Sequence, residues 1–317
     1  MPADPAPESV HALAEARARA RRERDWDTAD RLKAEIEATG WKVIDAATLY
    51  SLERAASRDV VEGDVVRYGA STSVPSRLEE PAQPGATVVL VADGTAAAAE
   101  RSLVALARHA PPGTQVVVVA NGPAIAMSSS SSGIEVLATS ARLTHAAALN
   151  AGLRRATRSI VIVLAAGIEP AAGTIDGLAA ALDDPGVAVA GSVGLLTDDL
   201  ARWERAPTGQ AVVAGLAGEA MAFRRADYAV RGPLDEAFAD SAYVAPWWSL
   251  VLRDTGEEEP GDAAPRTAAV VAGEPLPGAE PWTWTTAGPE SDRAERKGRY
   301  RLLRWFAGRR DLAVRAG

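Results

Sequence analysis

Hydrophobic positions along this chain change their spacing twice. Up to about Tyr50 the segment is charged. In "DWDTADRLKAEIEATGWKV", Trp26, Ala29, Leu32 and Ile36 recur near helical spacing, which predicts that they line one face of a helix. Asp25, Asp27 or Thr28 can cap its start, and Gly40 can end it in a left-handed conformation. The upstream "EARARARRER" predicts a second helix, so residues 1–55 read as an α-helical hairpin, a packing or docking arm. Residues 56–85 read as a linker. "VVEGDVVRYG" within it predicts a β-hairpin turning at Glu62–Gly63, and the prolines of "VPSRLEEPAQPG" lack N–H donors and restrict their neighbours.

From Ala86 the pattern becomes strand and helix in alternation. "TVVLVA", "QVVVVA", "IEVLA" and "SIVIVL" are strands, with helices in "AAAAERSLVALARHA" and "THAAALNAGLRRAT" and a loop at Ser128–Ser132. Apolar strands without polar alternation imply a sheet covered on both faces, hence mostly parallel. A helix across "AAGTIDGLAAALDD" and strands at "VAVAG" and "GEAMAFRR" extend this domain over 86–275. Residues 276–317 form an extension ending in the basic, amphipathic "RAERKGRYRLLRWFAGRRDLAVRAG", where Leu302, Leu303 and Phe306 can share a face. Such a helix docks on an acidic body or, alternatively, makes peripheral contact with an anionic membrane.

Composition narrows the function. The chain has 317 residues, 47% of them hydrophobic, enough for a full core. A formal net charge of -8 argues against a protein that coats nucleic acid. With no cysteine, disulfides, cysteine–zinc sites and a thiol nucleophile are excluded. The start "MPADPAPESV" lacks the basic and apolar parts of a signal peptide, and no apolar run approaches the roughly 20 residues that span a bilayer, so a cytoplasmic protein is expected. In "IVIVLAAGIEP" the strand ends on Ala165, Ala166 and Gly167. Open α/β sheets place their chemistry at such an end, yet these residues cannot ligate a metal or move a proton. Glu169, just beyond, is followed by Pro170 and reads as a capping or surface residue, and His145 as a surface or packing histidine. Trp247 and Trp248 are adjacent, so on a helix they point in different directions and at least one belongs to the core.

Several stretches, in order, resemble the nucleotide-sugar domain of family 2 glycosyltransferases. These are "TVVLVADG", "VVVVANGP", "HAAALNAGLRRAT", "VIVLAAGIEP" and "FRRADYAVRGPLDEAF". The resemblance implies a GT-A fold: a mostly parallel sheet with helices on both faces, here preceded by the helical hairpin. It implies a nucleotide sugar as partner, with Asp93, Asn121, Asn150 and Gly152 at donor-binding positions and Asp235 and Glu236 as catalytic candidates on the acceptor side. The family uses Asp-x-Asp to hold Mn²⁺ or Mg²⁺ against the diphosphate, and a Glu-Asp pair to supply the general base. Here Ala165 and Ala166 stand at the first station and Val244 and Ala245 at the second. No metal ligand is therefore assigned, no cofactor is expected, and the resemblance implies a donor-binding protein with lost or altered catalysis.

The N-terminal "RRERDWDTADRLKAEIEATGWKVIDA" is similar to the C-terminal region of cysteinyl-tRNA synthetases, with Asp25, Trp26, Ala29, Asp30, Leu32, Gly40, Val43 and Asp45 matching. The alternative function is thus a non-catalytic accessory protein that uses the hairpin for a protein partner or RNA. The negative charge counts against RNA.

Overall fold

Asp25 opens the second helix by accepting a hydrogen bond from the Thr28 N–H at 3.1 Å, as an N-cap should. That helix, α2 (Trp26–Ala38), follows α1 (Glu8–Glu23), and Gly40 at φ +81° ends it. The computed structural model describes residues 6–46, 49–54, 57–93, 95–127, 133–238, 241–254, 265–271, 276–277 and 289–315. The serine run at 128–132 and most of "EPWTWTTAGPE" lie outside them. Contacts divide the chain into two units, Met1–Arg58 and Asp59–Gly317.

In the first unit Ile36, Val10 and Ala14 bury together with Trp41 and Val43. Trp26 departs from the expected face. It is 55% exposed and lies under the Arg21 guanidinium at 5.8 Å, because as the first helical residue it sits beside the end of α1 rather than over the core. The segment after Gly40 is not helical. It forms an antiparallel hairpin of β1 (Trp41–Ala46) and β2 (Leu49–Arg54), in which alternate residues Trp41 and Val43 face the helices.

The second unit runs β3 (Val60–Glu62), β4 (Val65–Tyr68), β5 (Gln83–Asp93), α3 (Ala96–His109), β6 (Gln115–Asn121), β7 (Ile134–Thr139), α4 (His145–Leu153) and β8 (Arg158–Leu164). It continues through α5 (Thr174–Ala180), β9 (Val187–Gly191), β10 (Gly194–Leu196), β11 (Glu204–Arg205), β12 (Val212–Val213), β13 (Gly215–Leu216), β14 (Ala220–Arg224) and α6 (Arg225–Arg231). Last come α7 (Val244–Arg253), β15 (Thr267–Val270) and α8 (Pro289–Trp305). One ten-stranded sheet has the order β12-β15-β9-β14-β8-β5-β6-β7-β4-β3. Its centre, β8-β5-β6-β7-β4, is parallel, and β14 enters antiparallel between β8 and β9. The hairpin turning near Glu62–Gly63 is present, but β4 pairs with β7, so part of the segment read as a linker extends the sheet.

The strands are apolar throughout because both faces are covered. Val89, Val117 and Val163 join one cluster with Leu149 of α4 and Trp248 of α7, while Val88, Leu90, Val118 and Ile162 join the other with Leu106 of α3 and Leu178 of α5. Gly152 lets α4 press on the sheet: a Cβ there would come within 2.5 Å of Val89 Cγ1. Leu302 of α8 and Phe306 just past its end are buried in the body. The helix's apolar face is thus used inside the protein, where an acidic body was one of its two expected partners.

Candidate functional site

The parallel strands β5, β6 and β8 end together, with Asp93 beside Asn121 and Leu164 beside Leu90. Asp93 is held by Arg142, whose Nε lies 2.8 Å and Nη2 3.0 Å from its carboxylate oxygens. Both ends of the buried Asn121 amide are engaged by one residue: Nδ2 donates to Leu143 O at 3.1 Å, and Oδ1 accepts from Leu143 N at 2.8 Å. Asn121 thereby fixes the entry to α4 and presents no free edge to a base. Burial lowers the His145 pKa below the ordinary imidazole value, against the opposing field of Asp93.

Asn150 is a crosslink. Its Nδ2 donates to Leu234 O (2.9 Å) and Glu236 Oε1 (2.8 Å), and its Oδ1 accepts from Tyr228 Oη (2.9 Å) and Leu234 N (2.9 Å). The same Glu236 oxygen accepts from Ser71 Oγ at 2.5 Å. Asp235 is gripped by α8: Arg301 binds it through Nε and Nη2, the latter at 2.8 Å, and Trp305 Nε1 donates at 3.3 Å. Asp235 and Glu236 lie in the turn after α6. Asp93, Asn121, Asn150, Asp235 and Glu236 all carry internal polar contacts, and Gly152 serves packing.

The residues that the resemblance aligns with the family's acidic stations lie at the end of β8 and the start of α7. Ala165 and Ala166 are half-buried, while Val244 and Ala245 are buried. Trp247 and Trp248 are both in the core, with ring centroids 6.0 Å apart. Glu169 sits on the surface, 3.9 Å from Arg101. Divalent Mn or Mg takes several oxygen ligands. Alanine offers no side-chain oxygen, and among the described residues no group of three or more His, Asp or Glu is placed to hold an ion. The residues present therefore do not fit that cation. Positive charge reaches the station by another route. An Arg101 Nη2 lies 3.4 Å from where a Cβ on Gly167 would sit, and the Gly167 N–H is fixed by Ser102 Oγ at 2.9 Å.

One residue escaped the sequence reading. Glu219 immediately precedes β14, opposite Ala165, whose N–H donates to its carbonyl at 2.9 Å. It is buried, and neither carboxylate oxygen has a hydrogen-bond partner among the described residues beyond its own backbone. Desolvation pushes its pKa above the usual carboxylate value, while Arg205 acts against this. Its signal in sequence was a single acid inside the apolar "AGEAMAF", which reads only as a strand edge.

A cavity of about 580 Å³ lies between α3 and the residues flanking β7, lined by Leu103, Val104, Met127 and Ile134. None of the site residues above lines it.

The family model for the cysteinyl-tRNA ligase anticodon binding domain matches residues 3–46. No curated protein sequence matches the chain. Among solved structures, GalNAc-T7 with UDP, GalNAc and Mn²⁺ is similar at 14% identity and TM-score 0.51, covering 71% of this chain and 48% of that one. A mannosyltransferase from Pyrobaculum calidifontis in complex with GDP-Man and Mn²⁺ is 17% identical, covering 74% and 77%, with TM-score 0.42. S. aureus TarS 1-349 in complex with UDP-GlcNAc is 12% identical, covering 70% and 65%, with TM-score 0.48. The chain spans about half the length of the GalNAc-T7 chain it matches. Its large sheet, with helices on both faces and an antiparallel strand beside β8, is a GT-A glycosyltransferase fold.

Proposed function

We propose that this GT-A domain binds a nucleotide sugar at the ends of β5, β6 and β8 without a divalent cation, and that the family's cation-dependent transfer has been lost. The observation that carries this reading is Arg101. Its guanidinium stands beside Gly167, which follows Ala165 and Ala166, the positions that the resemblance aligns with the family's acidic clamp. A guanidinium binds phosphate oxygens directly through charge-assisted hydrogen bonds, so it can offset diphosphate charge that a cation would otherwise meet. Arg142, exposed and paired with Asp93 at the end of β5, supports the same reading.

The test is a thermal-shift screen of nucleotide sugars in the presence of chelator and of Mn²⁺. Stabilisation independent of Mn²⁺ and lost in Arg101→Ala supports the proposal. Sugar transfer that requires Mn²⁺ overturns it. The match over residues 3–46 favours a second reading, in which the N-terminal hairpin recruits a protein or RNA partner. Loss of that partner on deleting residues 1–55, with donor binding retained, would separate the two activities.

A further inference from the structure

Glu219 lies where both changed stations meet. Its carbonyl is bonded to Ala165 N, and its neighbour Gly218 passes the start of α7, with a Cβ on Gly218 falling 3.9 Å from Ala245 Cβ. Residue alternation along β14 puts Glu219 on the side of Met221 and Phe223, which pack in the cluster containing Trp247 and Trp248. A buried carboxyl group with no hydrogen-bond partner among the described residues outside its own residue is costly and calls for a group that satisfies it. The indole nitrogens of Trp247 and Trp248 are likewise buried without partners among the described residues. Beside this buried carboxyl group, Gly218 is exposed and Ala165 and Ala166 are half-buried. Arg205 is the charged group whose field opposes the upward shift of the Glu219 pKa.

We infer that Glu219 is a ligand-binding carboxyl group that accepts hydrogen bonds from vicinal hydroxyls of the sugar on a nucleoside diphosphosugar. This rests on the donor-cleft reading above and gives it a sugar-recognising residue. A carboxylate has two acceptor oxygens in one plane, the geometry that adjacent hydroxyls present. A site built to receive hydroxyls discriminates sharply against a ligand that lacks them, because its buried polar group is then left unpaired. The nucleoside diphosphate alone would leave Glu219 in its present state.

The experiment is calorimetric titration of the full chain, in chelator, with UDP, GDP, ADP, CDP and dTDP and with their glucose conjugates. Wild-type protein is expected to bind one conjugate at least about tenfold more tightly than its own diphosphate. Glu219→Gln and Glu219→Met are expected to lose that preference while keeping the diphosphate affinity. Should a variant lose its fold by circular dichroism, wild-type protein labelled at glutamate ¹³Cδ supplies the same answer. The Glu219 signal shifts with the conjugate and stays in place with the diphosphate. Equal affinity of wild type for both, or a preference that survives in Glu219→Met, overturns the Glu219 assignment and leaves the cleft reading standing. Failure of wild type to bind any diphosphate or conjugate overturns the cleft reading and this inference together.

Discussion

Replacing Asn150 by alanine separates a structural role from a ligand-binding one. The side chain makes four hydrogen bonds: two to the backbone of Leu234, one to Tyr228 and one to Glu236. Three are between neutral groups, worth about 0.5–1.5 kcal/mol each, and the one to a carboxylate about 1.5–3 kcal/mol. Alanine orphans Leu234 N, Leu234 O and Tyr228 Oη in a buried place, while Glu236 keeps its bond from Ser71; water can restore only part of the loss, so the expected cost is about 4 kcal/mol. For a unit of this size that lowers Tm by about 8–16 °C. Differential scanning calorimetry reads the shift, and urea unfolding should show a lower midpoint at unchanged slope. Any nucleotide affinity that the folded variant retains should be near wild type. An Asn150→Ala protein with unchanged Tm and abolished nucleotide binding would refute this account and return Asn150 to the donor site.

Asp235 and Arg301 form a partly buried bidentate pair, so Asp235→Ala and Arg301→Ala should each destabilise. In a double-mutant cycle on urea midpoints they should couple by about 1–3 kcal/mol, and strict additivity would show that α8 is not held there. Glu219 holds its proton to higher pH when folded than when unfolded, so stability is greatest below the ordinary carboxylate pKa and falls as pH rises through the raised one. Glu219→Met should remove that pH dependence and stabilise the protein by about 1–3 kcal/mol above the window, as thermal melts across pH will show. Gly152→Val places side-chain atoms against Val89 and Val119, and a melting temperature equal to wild type would contradict the close approach of α4 to the sheet.

The central strands could be read directly, since unbroken runs such as Ile160–Leu164 are what two covered faces require. The N-cap at Asp25 and the stop at Gly40 were equally local. The hairpin β1–β2 was not, because the helical charge pattern before Gly40 masks the alternation that starts at Trp41. That Ala165 and Ala245 offer no side-chain oxygen is visible from residue type alone. What Asn150 does depends on residues 78 to 86 positions away, which no local pattern announces. The position of Glu219 escapes a local reading for a related reason. Only the antiparallel insertion of β14 brings it opposite Ala165, and only the passage of Gly218 beside α7 brings it to the second station.

The most direct measurement is the affinity of the chain for its preferred nucleoside diphosphosugar, determined by calorimetry in chelator and again in saturating Mn²⁺, for wild type and Arg101→Ala. The account predicts the same affinity under both conditions and a loss of roughly tenfold or more in the variant. Binding that appears only with Mn²⁺ and is indifferent to Arg101 would contradict it.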